Sequence, residues 1–334
     1  MSDVTLSTTN GIKVVDFRPF VDGTNKQAVA DAILNSFKDT GFVYLINHPV
    51  PKEKIEEMFV LSKKFFDLSM EKKQLAPHPP SGTHHRGYSA PGVEKISQHI
   101  YDMDELAKNR IKAPDVKESF ECGREEDENM PNIWLPDGIL PGFKETCLDF
   151  FWLLYEAELT IWGAMALGFK LPEDYFKAYH TKPDNQLRLL HYPSVTAEDL
   201  AKETITRIGA HSDFGSMTLL MQDDVGGLEI ENPQKPGTFT PAPYVEGAIM
   251  VNAGDFLARW SNDTIRSTIH RVRAPSGKFV EGMIPDRYSI PYFSSADFDT
   301  VVDCIPGTWS EENPKKYEPI SAKDYVMQRL AASY

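Results

Sequence analysis

His211, Asp213 and His270 form the donor set in this sequence best suited to a divalent transition metal. Two imidazoles and one carboxylate leave up to three positions open on an octahedral ion, the arrangement of non-haem Fe(II) sites that react with oxygen. His211 and Asp213 stand two residues apart, with Ser212 between them. Side chains at i and i+2 of an extended segment point to one side, so both could grip one ion from a single strand end. His270 would arrive from another strand. A lone His-x-Asp arises by chance, and a lone histidine is more often a packed or surface residue than a ligand. Zinc with three protein ligands would accept the same set, so zinc, iron and coincidence all stay open on these residues alone.

Context narrows the choice. Seventeen positions after His270 comes Arg287-Tyr288-Ser289 on another strand-like run. Arg287 and Ser289 share a face there. A guanidinium fork beside a hydroxyl offers a distal carboxylate a charge-assisted pair and a further hydrogen bond. The metal set followed by Arg-x-Ser at this offset is more specific than either piece.

The elements that must position these residues change character along the chain. Lys13–Phe17 reads as a first strand, and Thr24 or Asn25 can cap a helix with Val29, Ile33 and Phe37 on one face. Gly41 ends it, and Phe42–Ile46 reads as a buried strand. A second helix begins near Pro51, with a short one over Met70–Leu75. Residues 76–93 read as a loop, and 94–136 as irregular structure with short helices or strands. Pro141 opens the longest helix. Leu148, Phe151, Trp152, Tyr155, Leu159, Trp162 and Ala166 form its apolar face, and Gly168 lies at its end.

From Gln186 onward short strands alternate with turns. The candidates are Gln186–Tyr192, Arg207–Asp213, Thr218–Gln222, Leu228–Glu231, Ile249–Asn252, Thr268–Val272, Tyr288–Phe293 and Val301–Asp303. Turn signals sit at Gly226-Gly227, Pro236-Gly237 and Ser276-Gly277. Strands at this spacing predict a sandwich or barrel. The reading is one continuous α+β domain over 1–334. It has a helix-rich region to about 180, a β core over about 181–310 and a C-terminal helix over about 320–334.

The 334 residues carry a formal net charge of −14. A globally acidic surface argues against a nucleic acid polymer as partner, because phosphate binding needs clustered Lys and Arg. Cys122, Cys147 and Cys304 are odd in number and far apart, neither a disulfide framework nor a zinc-thiolate set. They are expected to be reduced thiols of a cytoplasmic protein. No apolar signal core opens the chain, and no apolar stretch suits a membrane span. No oligomeric state follows from the sequence.

Several short motifs then stand in a recognisable order. They are Val14-Val15-Asp16-Phe17, Gly41-Phe42-Val43-Tyr44-Leu45 with Asn47-His48, Phe65-Phe66, Glu71-Lys72-Lys73 and Arg86-Gly87-Tyr88. Tyr192-Pro193, His211-Ser212-Asp213, Gly226-Gly227-Leu228, Val251-Asn252-Ala253-Gly254-Asp255, Trp260-Ser261-Asn262 and His270-Arg271-Val272 follow. In these the sequence resembles, over nearly its whole length, the 2-oxoglutarate/Fe(II)-dependent dioxygenases of the isopenicillin N synthase-like group. Leu187–Pro193, His211–Ser216 and the chain's ending look most like fungal thymine hydroxylase-type members.

The resemblance implies a double-stranded β-helix, or jelly roll, with helices packed on it. It implies His211, Asp213 and His270 as iron ligands, and Arg287 and Ser289 as the binders of the C5 carboxylate of 2-oxoglutarate. Tyr192 matches a tyrosine that contacts co-substrate or substrate. Many plant members have Asn-Tyr-Tyr-Pro where this chain has Leu190-His191-Tyr192-Pro193, so the Asn contact is missing. The implied reaction consumes O2 and 2-oxoglutarate, with ascorbate as the reductant in vitro. It releases succinate and CO2 and oxidises a C–H bond of a small molecule, hydroxylation being the expected outcome.

Around this centre, Arg86 and Tyr88 are expected near the pocket mouth, against a purely structural role. Phe214 and Phe293 are candidates for its wall, against simple core packing. Arg188 and His191 are candidates for polar substrate contacts, against a salt bridge and an ordinary histidine. The competing readings are an oxidase of the same fold that does not use 2-oxoglutarate, a zinc hydrolase on the same ligands, and a binding module without turnover.

Overall fold

The computed structural model describes residues 4–80, 84–94, 115–202, 205–275 and 282–331. Its framework is a nine-stranded sheet facing a four-stranded one. In spatial order the large sheet runs Thr5–Thr9, Ile12–Asp16, Phe42–Ile46, Ala248–Ala253, Met217–Gln222, Arg287–Ser294, Gln186–Tyr192, Glu118–Cys122 and Gly87–Ser89. The small sheet runs Phe239–Pro241, Leu228–Glu231, His270–Val272 and Ile208–His211. Within these two sheets the described strands pair antiparallel, except Ile12–Asp16 with Phe42–Ile46. This is the jelly roll expected from the resemblance.

Period-two alternation divides the large sheet's side chains between two cores. On Gln186–Tyr192, Leu190 and Tyr192 face the small sheet and pack with Ile208, Leu228, Met250 and Val272. Leu187 and Leu189 turn the other way, into a larger core with the helices. Ala248–Ala253 splits likewise, Met250 to one side and Ile249 and Val251 to the other. Central strands covered on both faces explain why these runs read as nearly continuous apolar stretches.

The helical layer comprises mainly Lys26–Asp39, Lys52–Phe66 and Phe143–Gly168. Gly41, after the first of these, has φ +75°, and a Cβ there would lie 2.5 Å from the Arg266 carbonyl. Only glycine satisfies both the left-handed turn and that approach. The longest helix starts at Phe143, two residues after Pro141, and its buried seam differs from the expected one. Cys147, Phe150, Phe151, Leu154, Ala157, Glu158, Ile161, Trp162 and Met165 are buried, whereas Trp152 is exposed. Beyond Ala157 the helix is enclosed on more than one side, so a single stripe underestimates what it covers.

One other expectation changes. The loop expected over 76–93 contains the strand Gly87–Ser89, paired with Glu118–Cys122, one of the short strands expected within 94–136, which lies against Gln186–Tyr192. Its sequence, Glu-Ser-Phe-Glu-Cys, carries two carboxylates, which masks it as a strand. The Ser276-Gly277 turn, most of residues 94–114 and the end of the C-terminal helix lie outside the described residues. The three cysteines are buried and unbridged. Among the described residues no helix is long and apolar enough to cross a membrane.

Candidate active site

The small sheet brings the metal-ligand candidates together. His211 ends the Ile208–His211 strand, His270 begins His270–Val272, and the two are register partners. Their rings sit 4.3 Å apart between centroids. Asp213 lies two residues past the strand end, in the following turn, so the turn brings it round where an extended continuation was expected. Its Oδ1 stands 3.6 Å from His270 Nε2 and 3.9 Å from His211 Nε2. These gaps are too long for hydrogen bonds. They suit donors that share one ion, each bonded at about 2.1 Å. One donor atom from each residue lies within 4.8 Å of the others.

The hydrogen bonds around the three residues prepare them for that task. His211 Nδ1 donates to the Gly209 carbonyl at 2.8 Å and His270 Nδ1 to the Thr268 carbonyl at 3.2 Å. Each Nε2 is thereby left with its lone pair free, the tautomer a metal needs. Burial and the neighbouring His270 push His211 down to about 4, so it is neutral at physiological pH. Asp213 is buried, which alone would raise it. Hydrogen bonds from Thr218 and Asn252 act against burial and favour its ionised form. Asp213 Oδ2 accepts from Thr218 Oγ1 at 2.5 Å and Asn252 Nδ2 at 2.7 Å. Oδ1 is left to face the histidines. The donor set fits a divalent iron.

A further clamp fixes the turn that carries Asp213. Asp255 accepts from Ser212 Oγ and Ser267 Oγ, and its backbone N–H donates to the Asp213 carbonyl. It thus joins the two segments that carry the candidate ligands. Gly254 permits the approach, since a Cβ there would lie 2.2 Å from the Gly215 carbonyl.

Arg287 and Ser289 sit on one face of Arg287–Ser294 and line the same cavity as the metal-ligand candidates. Arg287 is buried, donating to Ser289 Oγ at 3.3 Å and to Gln222 Oε1 at 3.1 Å. Its Nε has no acceptor among the described residues. Tyr192, its register partner, presents its ring 5.0 Å from the guanidinium carbon. This end of the cavity has a cation with donor capacity to spare, as a carboxylate site requires.

The remaining candidates divide. Arg86, Arg188, Phe214 and Phe293 line the cavity. Arg188 stands 5.7 Å from the Phe293 ring centroid, and its guanidinium pairs with Glu94 at 3.3 Å and Glu121 at 2.9 Å. Arg86 pairs with Asp127 at 3.1 Å. Tyr88 and His191 are not brought to the cavity. Tyr88 donates to Glu118 Oε2 at 2.6 Å, and His191 spans Glu118 and Asp286 while stacking on Tyr288. Alternation accounts for His191: Arg188, Leu190 and Tyr192 occupy the cavity face, so the odd-numbered residue points away.

Sequence reasoning passed over Thr218, Gln222 and Asn252, which grip Asp213 and Arg287. Asn252 carried a usable signal. It is a lone polar residue in the buried strand Ala-Ile-Met-Val-Asn-Ala, and a buried amide needs a partner.

Residues 12–137 match the family model described as non-haem dioxygenase in morphine synthesis N-terminal, and residues 183–296 match that of the 2OG-Fe(II) oxygenase superfamily. The chain is 37% identical to proline hydroxylase buaE of Petromyces alliaceus, over 97% of this chain and 99% of that one. It is 35% identical to the 2-oxoglutarate-dependent dioxygenase gloF of Glarea lozoyensis, over the same shares. Among solved structures, the full-length Neurospora crassa thymine hydroxylase in complex with alpha-KG and thymine superposes with a TM-score of 0.88. That match has 42% identity and covers 99% of this chain and 100% of that one.

Proposed function

The chain belongs to the 2OG-Fe(II) oxygenase superfamily, and from that premise we propose the roles its residues play and the substrate it takes. It is a 2-oxoglutarate-dependent dioxygenase using Fe(II) and O2. When bound, iron supplies the chemistry that couples oxidative decarboxylation of 2-oxoglutarate, to succinate and CO2, to oxidation of a substrate C–H bond. His211 Nε2, His270 Nε2 and Asp213 Oδ1 are the ligands in this reading. Arg287 and Ser289 bind the C5 carboxylate of the co-substrate, and Gln222 fixes the guanidinium. Tyr192 packs on that guanidinium and closes the end of the site.

The carrying observation is that the three donors and the buried Arg287 open on one cavity. Its far side supplies the substrate contacts: Phe214 and Phe293 as apolar walls, Arg86 and Arg188 as polar ones. Both guanidiniums already have carboxylate partners. Nearly compensated charge favours a neutral or zwitterionic substrate over a strongly charged one, because an uncompensated buried charge is costly. A nucleobase or an amino-acid-derived metabolite satisfies this, and the names of the relatives above, proline hydroxylase among them, point the same way. Hydroxylation is the proposed outcome. The buried, unbridged cysteines support a reducing compartment such as the cytoplasm. Relatives named for 2-oxoglutarate do not favour the oxidase, zinc hydrolase or turnover-free readings.

The test is a substrate screen under air with Fe(II), 2-oxoglutarate and ascorbate, reading succinate and candidate mass together. Succinate formation matched by a gain of one oxygen in a small neutral or zwitterionic substrate is expected. Full turnover without 2-oxoglutarate would overturn the reading.

A further inference from the structure

Arg207, four residues before His211, is fully buried, yet most of its donors are unused. One terminal nitrogen donates to the Pro285 carbonyl at 2.5 Å. The Nε and the other terminal nitrogen have no acceptor among the described residues. Buried guanidinium donors without partners are costly, and such a residue ordinarily has a reason to be there.

Its surroundings suggest that reason. The guanidinium carbon of Arg207 lies 5.8 Å from the Tyr192 ring centroid, and that of Arg287 lies 5.0 Å from the same ring. Two buried cations thus stand against one aromatic ring, and the Arg287 Nε also has no acceptor among the described residues. Burial, with repulsion from Arg287, pulls Arg207 down to about 10, which leaves it charged at neutral pH. Among the described residues, Asp223 and Asp286 act on the Arg207 charge from a distance, and their printed hydrogen bonds go to other groups. Asp223 accepts the backbone N–H groups of Tyr288 and Val225, and Asp286 accepts from His191 and the Ser194 N–H. Among the described residues, then, neither guanidinium has all its donors taken up by the chain.

We propose that Arg207 is a positioning residue for the dicarboxylate co-substrate. With Arg287, across the Tyr192 ring, it makes a paired cationic end that selects keto acids bearing a distal carboxylate. This rests on the reading of Arg287 as the distal-carboxylate binder. Arg207 need not touch the anion; its field adds to that of Arg287 in a buried setting where screening is weak. It also holds Tyr192 in place by ring contact. Because it shares a segment with His211, it ties the distal-carboxylate end to the metal end.

The test is calorimetric titration of the Mn(II)-loaded protein with 2-oxoglutarate and, separately, with 2-oxobutyrate, which lacks the distal carboxylate. Arg207→Gln is expected to weaken 2-oxoglutarate at least tenfold while changing 2-oxobutyrate less than twofold. Arg207→Lys, which keeps the charge, should recover part of the loss. It serves as the informative variant if Arg207→Gln does not fold, by then weakening 2-oxoglutarate less than tenfold with 2-oxobutyrate unchanged. A parallel loss for both keto acids, or no change for either, would overturn the role of Arg207. A wild-type protein that binds the two equally would overturn the reading of Arg287 itself.

Discussion

At the scale of single residues, the site is a lesson in how neighbours assign roles to identical groups. Asp213 has two oxygens. Thr218 and Asn252 occupy Oδ2, so Oδ1 is the one presented to the histidines. Backbone carbonyls do the same for the imidazoles by taking Nδ1. Removing a proposed ligand should remove function without removing the fold. Asp213→Ala or His270→Ala is expected to abolish 2-oxoglutarate-dependent succinate formation while circular dichroism stays unchanged. Wild-type turnover in either variant would contradict the assignment. The support around the proposed ligands should matter measurably as well. Thr218→Val keeps shape but loses the hydrogen bond, and metal affinity in a chelator competition is expected to fall about 10- to 100-fold. An unchanged affinity would show that Asn252 alone suffices.

At the scale of elements, the helix Phe143–Gly168 holds the sheet's cavity-forming strands through a buried carboxyl. Glu158 accepts from Trp162 Nε1, Asn185 Nδ2 and Ser294 Oγ. Asn185 precedes one strand and Ser294 ends its neighbour. Burial pushes Glu158 up to about 7, despite those hydrogen bonds, which act in the opposite direction. A carboxyl raised above its unfolded value near 4.5 favours the protonated native state. Its contribution is therefore fully present below about pH 4.5 and is lost as pH rises through about 7. The shift corresponds to a ceiling on the order of 3 kcal/mol. Urea unfolding of wild type and Glu158→Gln from pH 5 to pH 8 tests this. The wild type should lose stability relative to the variant as pH rises. A constant difference between them would contradict a titrating Glu158.

At the scale of the molecule, the helix-rich first half and the strand-rich second half share one sheet. Ile12–Asp16 and Phe42–Ile46 extend the sheet beside Ala248–Ala253, and Lys26–Asp39 packs on Phe143–Gly168. Lys73 reaches Glu118 at 2.7 Å, with both groups buried. We propose on this basis that the chain is one continuous domain that unfolds as a unit. Its tryptophans at 134, 152, 162, 260 and 309 sample both halves, so fluorescence and far-UV circular dichroism should give coincident denaturant transitions. Two resolved transitions would separate the halves.

The sequence by itself was enough for the chemistry. His-x-Asp, a distant His and Arg-x-Ser are local signals or ordered pairs of them, and short apolar runs between turns mark strands wherever they pair. The strand alternation of Gln186–Tyr192 even placed Arg188 on the face of Leu190. What tertiary structure alone decided depends on which face of an element meets which neighbour. It turned His191 and Tyr88 toward Glu118, made a paired strand of Glu118–Cys122 despite its carboxylates, and shifted the buried seam of the long helix to include Glu158. It also gave Asp213 its two hydrogen-bond donors and set Arg207 beside Tyr192. These outcomes arise from contacts between residues far apart in the chain, where burial and partner geometry override local pattern, so no window of sequence contains them.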